Sequence, residues 1–226
     1  YKSDFEILEV SKEDKMSDAL TKIFETAQPF CIIQKQDSED VLILEGEALQ
    51  CGQIDDIPRQ KGVSDQGKSY DTISMIPFSQ IREKGYQALN DGEQILTLEI
   101  KRFWDLAVEE LLEQLTHCDI GLENGFEYDM TKAEYETLIR RIVEDEIGNG
   151  EGANFVIPRT LSGRINDFSV QRALSIFKYL LENDYGTYWK FIFYNGSRYF
   201  IGSTPERHLF VENQKVKMNP ISGTFR

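Results

Sequence analysis

The stretch "YWKFIFYNGSRYFIGS" at positions 188–203 settles the class of fold. Aromatic and β-branched residues crowd both sides of Asn195-Gly196, a pair that favours a type I′ hairpin turn between two strands. "HLFVENQKVKM" (208–218) repeats the pattern around a polar break, predicting a second hairpin and a four-strand meander. Further upstream, "PFCIIQKQ" (29–36), "DVLILEGEALQC" (40–51) and "QILTLEI" (94–100) read as strands.

Between these strands the period changes to that of a helix. In "TKAEYETLIRRIVEDEI" (131–147), Thr131 and Glu134 have capping-box spacing. Tyr135, Leu138, Ile139, Ile142, Val143 and Ile147 then form one apolar stripe. A similar helix carries Val170, Ala173, Leu174, Phe177 and Leu181. Helical spacing also predicts helices over 16–27, with Ser17 as N-cap, over 78–89 despite Gly85, and over 103–115, with Trp104, Val108, Leu111, Leu112 and Leu115 on one side. Helices and strands come in separate groups rather than in βαβ alternation. The expected class is therefore α+β with largely antiparallel sheets and packed helices. "DIPRQKGVSDQGKSYD" (56–71) has almost nothing to bury and is a loop, the one candidate sub-boundary in an otherwise single domain.

Composition narrows the function. Lys and Arg number 25 against 39 Asp and Glu, a net charge of −14. A polyanion needs a clustered basic face, and this balance argues against one, so nucleic acid is not an expected partner. A small anionic substrate needs only local cations or a metal. No apolar run approaches the roughly 20 residues of a membrane span. Cys31, Cys51 and Cys118 are odd in number and widely spaced, which suits a reducing cytoplasm. No Cys/His pair has zinc-ligand spacing, and His117 and His208 read as surface or satisfied histidines rather than catalytic ones.

Three polar stretches stand beside strongly predicted elements. "IGNGEGANFVI" (147–157) places glycines after a helix, between it and an expected strand. Phosphate loops place them before a helix, so a nucleotide site is disfavoured. On the residues alone, a helix stop with Gly148 or Gly150 in a left-handed cap is the favoured reading of the stretch. In "GSTPERHLF" (202–210), Pro205 fixes the backbone before Glu206. A carboxyl held beside aromatic strands favours its neutral, proton-donating form, while the plainer reading is a turn glutamate paired with Arg207. In "NPISGTFR" (219–226), Gly223 permits close backbone approach, Thr224 offers a hydroxyl and an N–H, and Arg226 has the fork to clamp a carboxylate. An ordinary loop fits as well.

Together, in this order and spacing, these stretches resemble the chorismate-utilising enzymes: the anthranilate, aminodeoxychorismate, isochorismate and salicylate synthases. "IPFSQIREKGYQALNDGEQILTLEI", "RRIVEDEIGNGEGANFVIPR", "GSTPERHLFV" and "MNPISGTFR" resemble most the phenazine-type aminodeoxyisochorismate synthases. The resemblance implies an anthranilate synthase component I-like fold, of which this chain is the incomplete N-terminal part. It also implies amination of chorismate at C2 with loss of the C4 hydroxyl, giving 2-amino-2-desoxyisochorismate, or anthranilate if pyruvate is then lost. Glu206, in the family's Ser-Pro-Glu motif (Thr204 replaces Ser, or one residue is inserted), matches the general acid for the C4 hydroxyl. Gly223 and Thr224 match the loop at the substrate ring.

Asn154 matches the position where water-using relatives carry a lysine base. An amide has no proton affinity near neutrality, so ammonia, which needs no deprotonation before attack, is the implied nucleophile. The family's Mg²⁺ ligands have no counterpart in these residues and are expected beyond residue 226. The ammonia source is expected to be a glutamine amidotransferase domain or subunit, and a homodimer is compatible with the resemblance. The fragment by itself is expected to be inactive. Ser222 stands where the folate-pathway relatives, which aminate C4, commonly carry a lysine nucleophile, which counts against that alternative. A non-catalytic binding or regulatory subunit is the other alternative, and the absence of an "LLES"-type stretch speaks against tryptophan inhibition.

Overall fold

The computed structural model describes residues 23, 28–36, 38–59, 70–184 and 186–220. The helix expected over 16–27 lies outside these residues except for Ile23, which is helical and buried. Most of the 56–71 loop also lies outside them. The chain divides into two compact units, residues 1–118 with 170–226, and residues 119–169.

The first unit is built on a six-stranded antiparallel sheet. Its strands are β1 (Phe30–Lys35), β2 (Asp40–Cys51), β3 (Thr72–Met75), β4 (Ile95–Ala107), and, much later in the chain, β7 (Trp189–Tyr194) and β8 (Tyr199–Thr204), in the order β3-β4-β2-β1-β7-β8. Both faces of its centre are covered, which is why β1 begins with the unbroken apolar run Phe-Cys-Ile-Ile rather than alternating. On one face Phe30, Ile32, Val41, Ile43 and Ile192 pack against α1 (Val108–Gln114) and α3 (Val170–Asn183) through Leu111, Leu174, Phe177 and Leu181. On the other, Cys31, Ile33, Leu42, Leu44, Leu98 and Phe193 form a second cluster.

The long β2–β4 pair carries a bulge where Gly46 faces Ile100 and Lys101 is left over. A Cβ on Gly46 would stand 1.9 Å from the Glu99 carbonyl oxygen, so this approach of two backbones requires glycine.

The second unit holds a two-stranded antiparallel sheet, β5 (Leu122–Tyr128) with β6 (Leu161–Ile165), and α2 (Lys132–Arg141), which continues as one π-type turn over Ile142–Ile147. The capping box forms as expected: Thr131 N–H donates to Glu134 Oε2 at 2.8 Å, and Glu134 N–H donates to Thr131 Oγ1 at 3.3 Å.

The α+β class with antiparallel sheets stands, and several local expectations need correction. The helix expected from Phe103 starts only at Val108. Residues 103–107 extend β4 instead, because Asp40–Leu44 offer them a full ladder. The segment expected to be helical over 78–89 makes a 3₁₀ helix, Phe78–Lys84, and stops at Gly85, whose φ of +83° ends it. At 195–198 only Gly196 takes a positive φ. The Asn195 side chain accepts from the Ser197 and Arg198 N–H groups, giving a four-residue loop instead of a type I′ turn. β9 (Arg207–Glu212) and β10 (Lys215–Asn219) form a separate two-stranded sheet and do not extend a meander with β7 and β8. No strand forms directly after Asn154; the next begins at Leu161.

Candidate functional site

Glu206 sits in the two-residue corner between β8 and β9 and is half-buried. Pro205 locks the corner, and the Tyr188 N–H donates to the Thr204 carbonyl at 2.8 Å, holding the end of β8 in the sheet. Thr204 then fastens Glu206 at both backbone groups. Its hydroxyl donates to the Glu206 carbonyl at 2.9 Å and accepts from the Glu206 N–H at 3.3 Å. A hydroxyl residue before Pro-Glu makes this ST-type turn possible.

Arg207 does not serve Glu206 as an ion-pair partner. Its guanidinium centre lies 5.1 Å from the Tyr188 ring centroid and 4.8 Å from that of Phe210, and Nη2 donates to Asn219 Oδ1 at 2.9 Å. The contact with Asn219 matters for the site. Arg207 opens β9, Asn219 closes β10, and the two are register partners. The hairpin therefore brings Glu206, just before β9, and Pro220, just after β10, to the same end. Two of the three polar stretches meet there. Gly223, Thr224 and Arg226 themselves lie outside the described residues.

Asn154 belongs to the second unit, in the loop after the π-type turn, and is exposed. Gly150 takes the left-handed conformation (φ +80°) that the helix stop required, whereas Gly148 stays right-handed. A Cβ on Gly148 would meet the Glu144 carbonyl oxygen at 2.2 Å. The far side of the loop is pinned. Tyr135 Oη donates to the Ile157 carbonyl at 3.1 Å, and Arg159, stacked 3.7 Å from the Tyr128 ring centroid, donates to the Met130 carbonyl at 3.0 Å. Asn154 is thus carried on a loop anchored at both ends.

Sequence reasoning placed Thr204 in the motif of Glu206 without its hydrogen bonds, and gave Asn219 and Arg159 no role. Only Thr204 left a signal, as a hydroxyl residue two before Glu206. Among the described residues no group of three or more His, Cys, Asp or Glu is placed to hold a metal ion, and no helix is long and apolar enough to cross a membrane. An open cavity of about 530 Å³, lined by Gly52, Gln80, Arg82 and Glu83 among others, includes none of the candidate residues.

Comparison with known proteins shows the family to which the chain belongs. The family model for chorismate binding enzymes matches residues 99–226, a stretch that contains Asn154 and Glu206. A relative named "Anthranilate synthase, phenazine specific" from Pseudomonas chlororaphis is 37% identical over 204 residues, which cover 88% of this chain and 31% of that protein. The protein of the same name from Pseudomonas fluorescens is 36% identical over 219 residues, covering 93% of this chain and 34% of its own length. The chain therefore spans about a third of the length of the curated relatives it matches. With more than half of its residues under the family model, the chain belongs to the chorismate binding enzymes.

Proposed function

We propose that this chain is the N-terminal part of a synthase that aminates chorismate at C2 with ammonia and expels the C4 hydroxyl, giving 2-amino-2-desoxyisochorismate. The fold that this reading assigns is that of anthranilate synthase component I. The observation that carries the proposal is the β9–β10 hairpin, which holds Glu206 and Pro220, the first residue of "PISGT", at one end.

In this reading ammonia forms the new bond to C2, the two ring double bonds shift, and the C4–O bond breaks. Glu206 supplies the proton with which the hydroxyl departs as water, and the added ammonia gives one up. Thr204 and Pro205 fix the direction of the Glu206 backbone. Asn154 orients ammonia without acting as a base, and Gly223, Thr224 and Arg226 contact the substrate. The Mg²⁺ ligands that this reading requires are proposed to lie beyond residue 226. Ammonia is delivered by a glutamine amidotransferase domain or subunit. The 226 residues alone bind too little of the substrate to turn it over.

Product analysis tests this proposal. A synthase chain containing these 226 residues, given chorismate and an ammonium salt, is expected to yield the C2-amino product, with or without later loss of pyruvate. A C4-amino product would overturn the proposal, as would incorporation of water at C2.

A further inference from the structure

The corner that holds Glu206 joins two sheets that share no strand pairing. β8 belongs to the six-stranded sheet, whereas β9 and β10 pair only with each other. A tether of two residues fixes where the hairpin starts and leaves its angle to side-chain contacts. That angle matters for an acid, because small misplacements of a reacting group are costly.

Arg207 supplies such contacts on three elements at once. Its guanidinium centre lies 5.1 Å from the ring centroid of Tyr188. Tyr188 is fixed to the six-stranded sheet: its N–H donates to the Thr204 carbonyl at 2.8 Å, and its carbonyl accepts from the Gln36 N–H at 2.7 Å. On the hairpin side the same guanidinium lies 4.8 Å from the ring centroid of Phe210 in β9. Nη2 then donates to Asn219 Oδ1, at the end of β10, at 2.9 Å. One flat cation therefore touches the sheet, β9 and β10. The Arg207 Nε–H is buried and has no acceptor among the described residues. A buried donor without a partner is unfavourable, and a lysine, whose charge sits at one terminal atom, would not bring it. What arginine adds here is its planar shape and its fork.

We infer that Arg207 is a positioning residue for the acid: set between Tyr188 and Phe210 and bonded to Asn219, it fixes the β9–β10 hairpin against the sheet and so places Glu206 beside Pro220. The inference rests on the general-acid role given to Glu206 in the reading above.

Single-turnover consumption of chorismate by a synthase chain containing these residues tests it, whichever product forms. Arg207→Lys keeps the charge and loses the flat fork, and Asn219→Leu removes the acceptor at similar size. Each is expected to lower the rate about 10- to 100-fold, with little change in chorismate binding. Asn219→Asp, which keeps an oxygen for Arg207, should restore the rate. Lys217→Gln removes the other cation near Phe210 and should leave the rate as it is. On a Glu206→Gln background neither Arg207→Lys nor Asn219→Leu should slow the chain further, because both act through Glu206. An Arg207→Lys or Asn219→Leu variant at the parent rate overturns the inference, as does an Asn219→Asp variant as slow as Asn219→Leu. An equal fall with Lys217→Gln overturns it too, since loss of any nearby charge would then suffice. So does an undiminished further fall on the Glu206→Gln background, the mark of a general loss of folded protein. Glu206→Gln at the parent rate sinks the proposed acid and this role with it; a slow Glu206→Gln beside an unaffected Arg207→Lys sinks the positioning role alone.

Discussion

The Thr204 hydroxyl closes on both backbone groups of Glu206, accepting from its N–H at 3.3 Å and donating to its carbonyl at 2.9 Å. A carboxyl that must meet one leaving hydroxyl gains from such a brace, since small misplacements of reacting groups are costly. Thr204→Val keeps the shape and removes both bonds. In a synthase containing this chain it is expected to lower kcat by up to about 100-fold with little change in KM for chorismate. Thr204→Ser should restore the rate. A Val variant with unchanged kcat would show that the brace is only structural.

Asn154 is exposed on a loop pinned by Tyr135 and Arg159, so a longer side chain fits there without repacking. Asn154→Lys introduces a group that, when neutral, is able to deprotonate water. The expected outcome is a C2-hydroxylated product beside the amine, its share rising with pH. Chromatography coupled to mass spectrometry of the products reads this out, and an unchanged product set at every pH would contradict the role given to Asn154.

The Glu134 carboxyl is held below its ordinary value of 4.5 by hydrogen bonds from the Thr131 side chain and backbone. A lowered carboxylate stabilises the fold above its unfolded value, and that contribution is lost as pH falls through the folded one. The start of α2 is therefore expected to fray below about pH 4.5. Amide exchange at residues 131–135 should report this. Thr131→Val should flatten the dependence; a profile identical to that of the parent chain would contradict the assignment.

Phe177 is fully buried between α3 and the sheet, whereas Phe78 is 79% exposed. Phe177→Ala is expected to cost about 3–5 kcal/mol in urea unfolding, and Phe78→Ala less than about 0.5 kcal/mol. Comparable losses at the two sites would mean that the core is placed wrongly.

Elements whose local pattern agrees with their packing were readable from sequence. The Phe-Cys-Ile-Ile run of β1, the Thr131–Glu134 capping box and the Gly150 helix stop all belong to that group. Residues 103–107 were not readable, because Trp104, Val108 and Leu111 also fit a helical period and only the ladder to β2 decides for a strand. Glu206 stood out through its Pro-Glu corner. The Thr204 brace is a local turn, whereas the bond between Arg207 and Asn219 depends on strand pairing that no local pattern encodes. Gly223, Thr224 and Arg226 rest on residue chemistry and, for the first two, on family resemblance, since they lie outside the described residues.

The most direct test of the central claim is Glu206→Gln in a synthase chain containing these residues, assayed with saturating ammonium in single turnover. If Glu206 protonates the departing C4 hydroxyl, the rate falls about 10²–10⁴-fold, while chorismate binding, followed by fluorescence or calorimetry, is nearly unchanged. A glutamine variant that still converts chorismate at close to the parent rate would contradict the account.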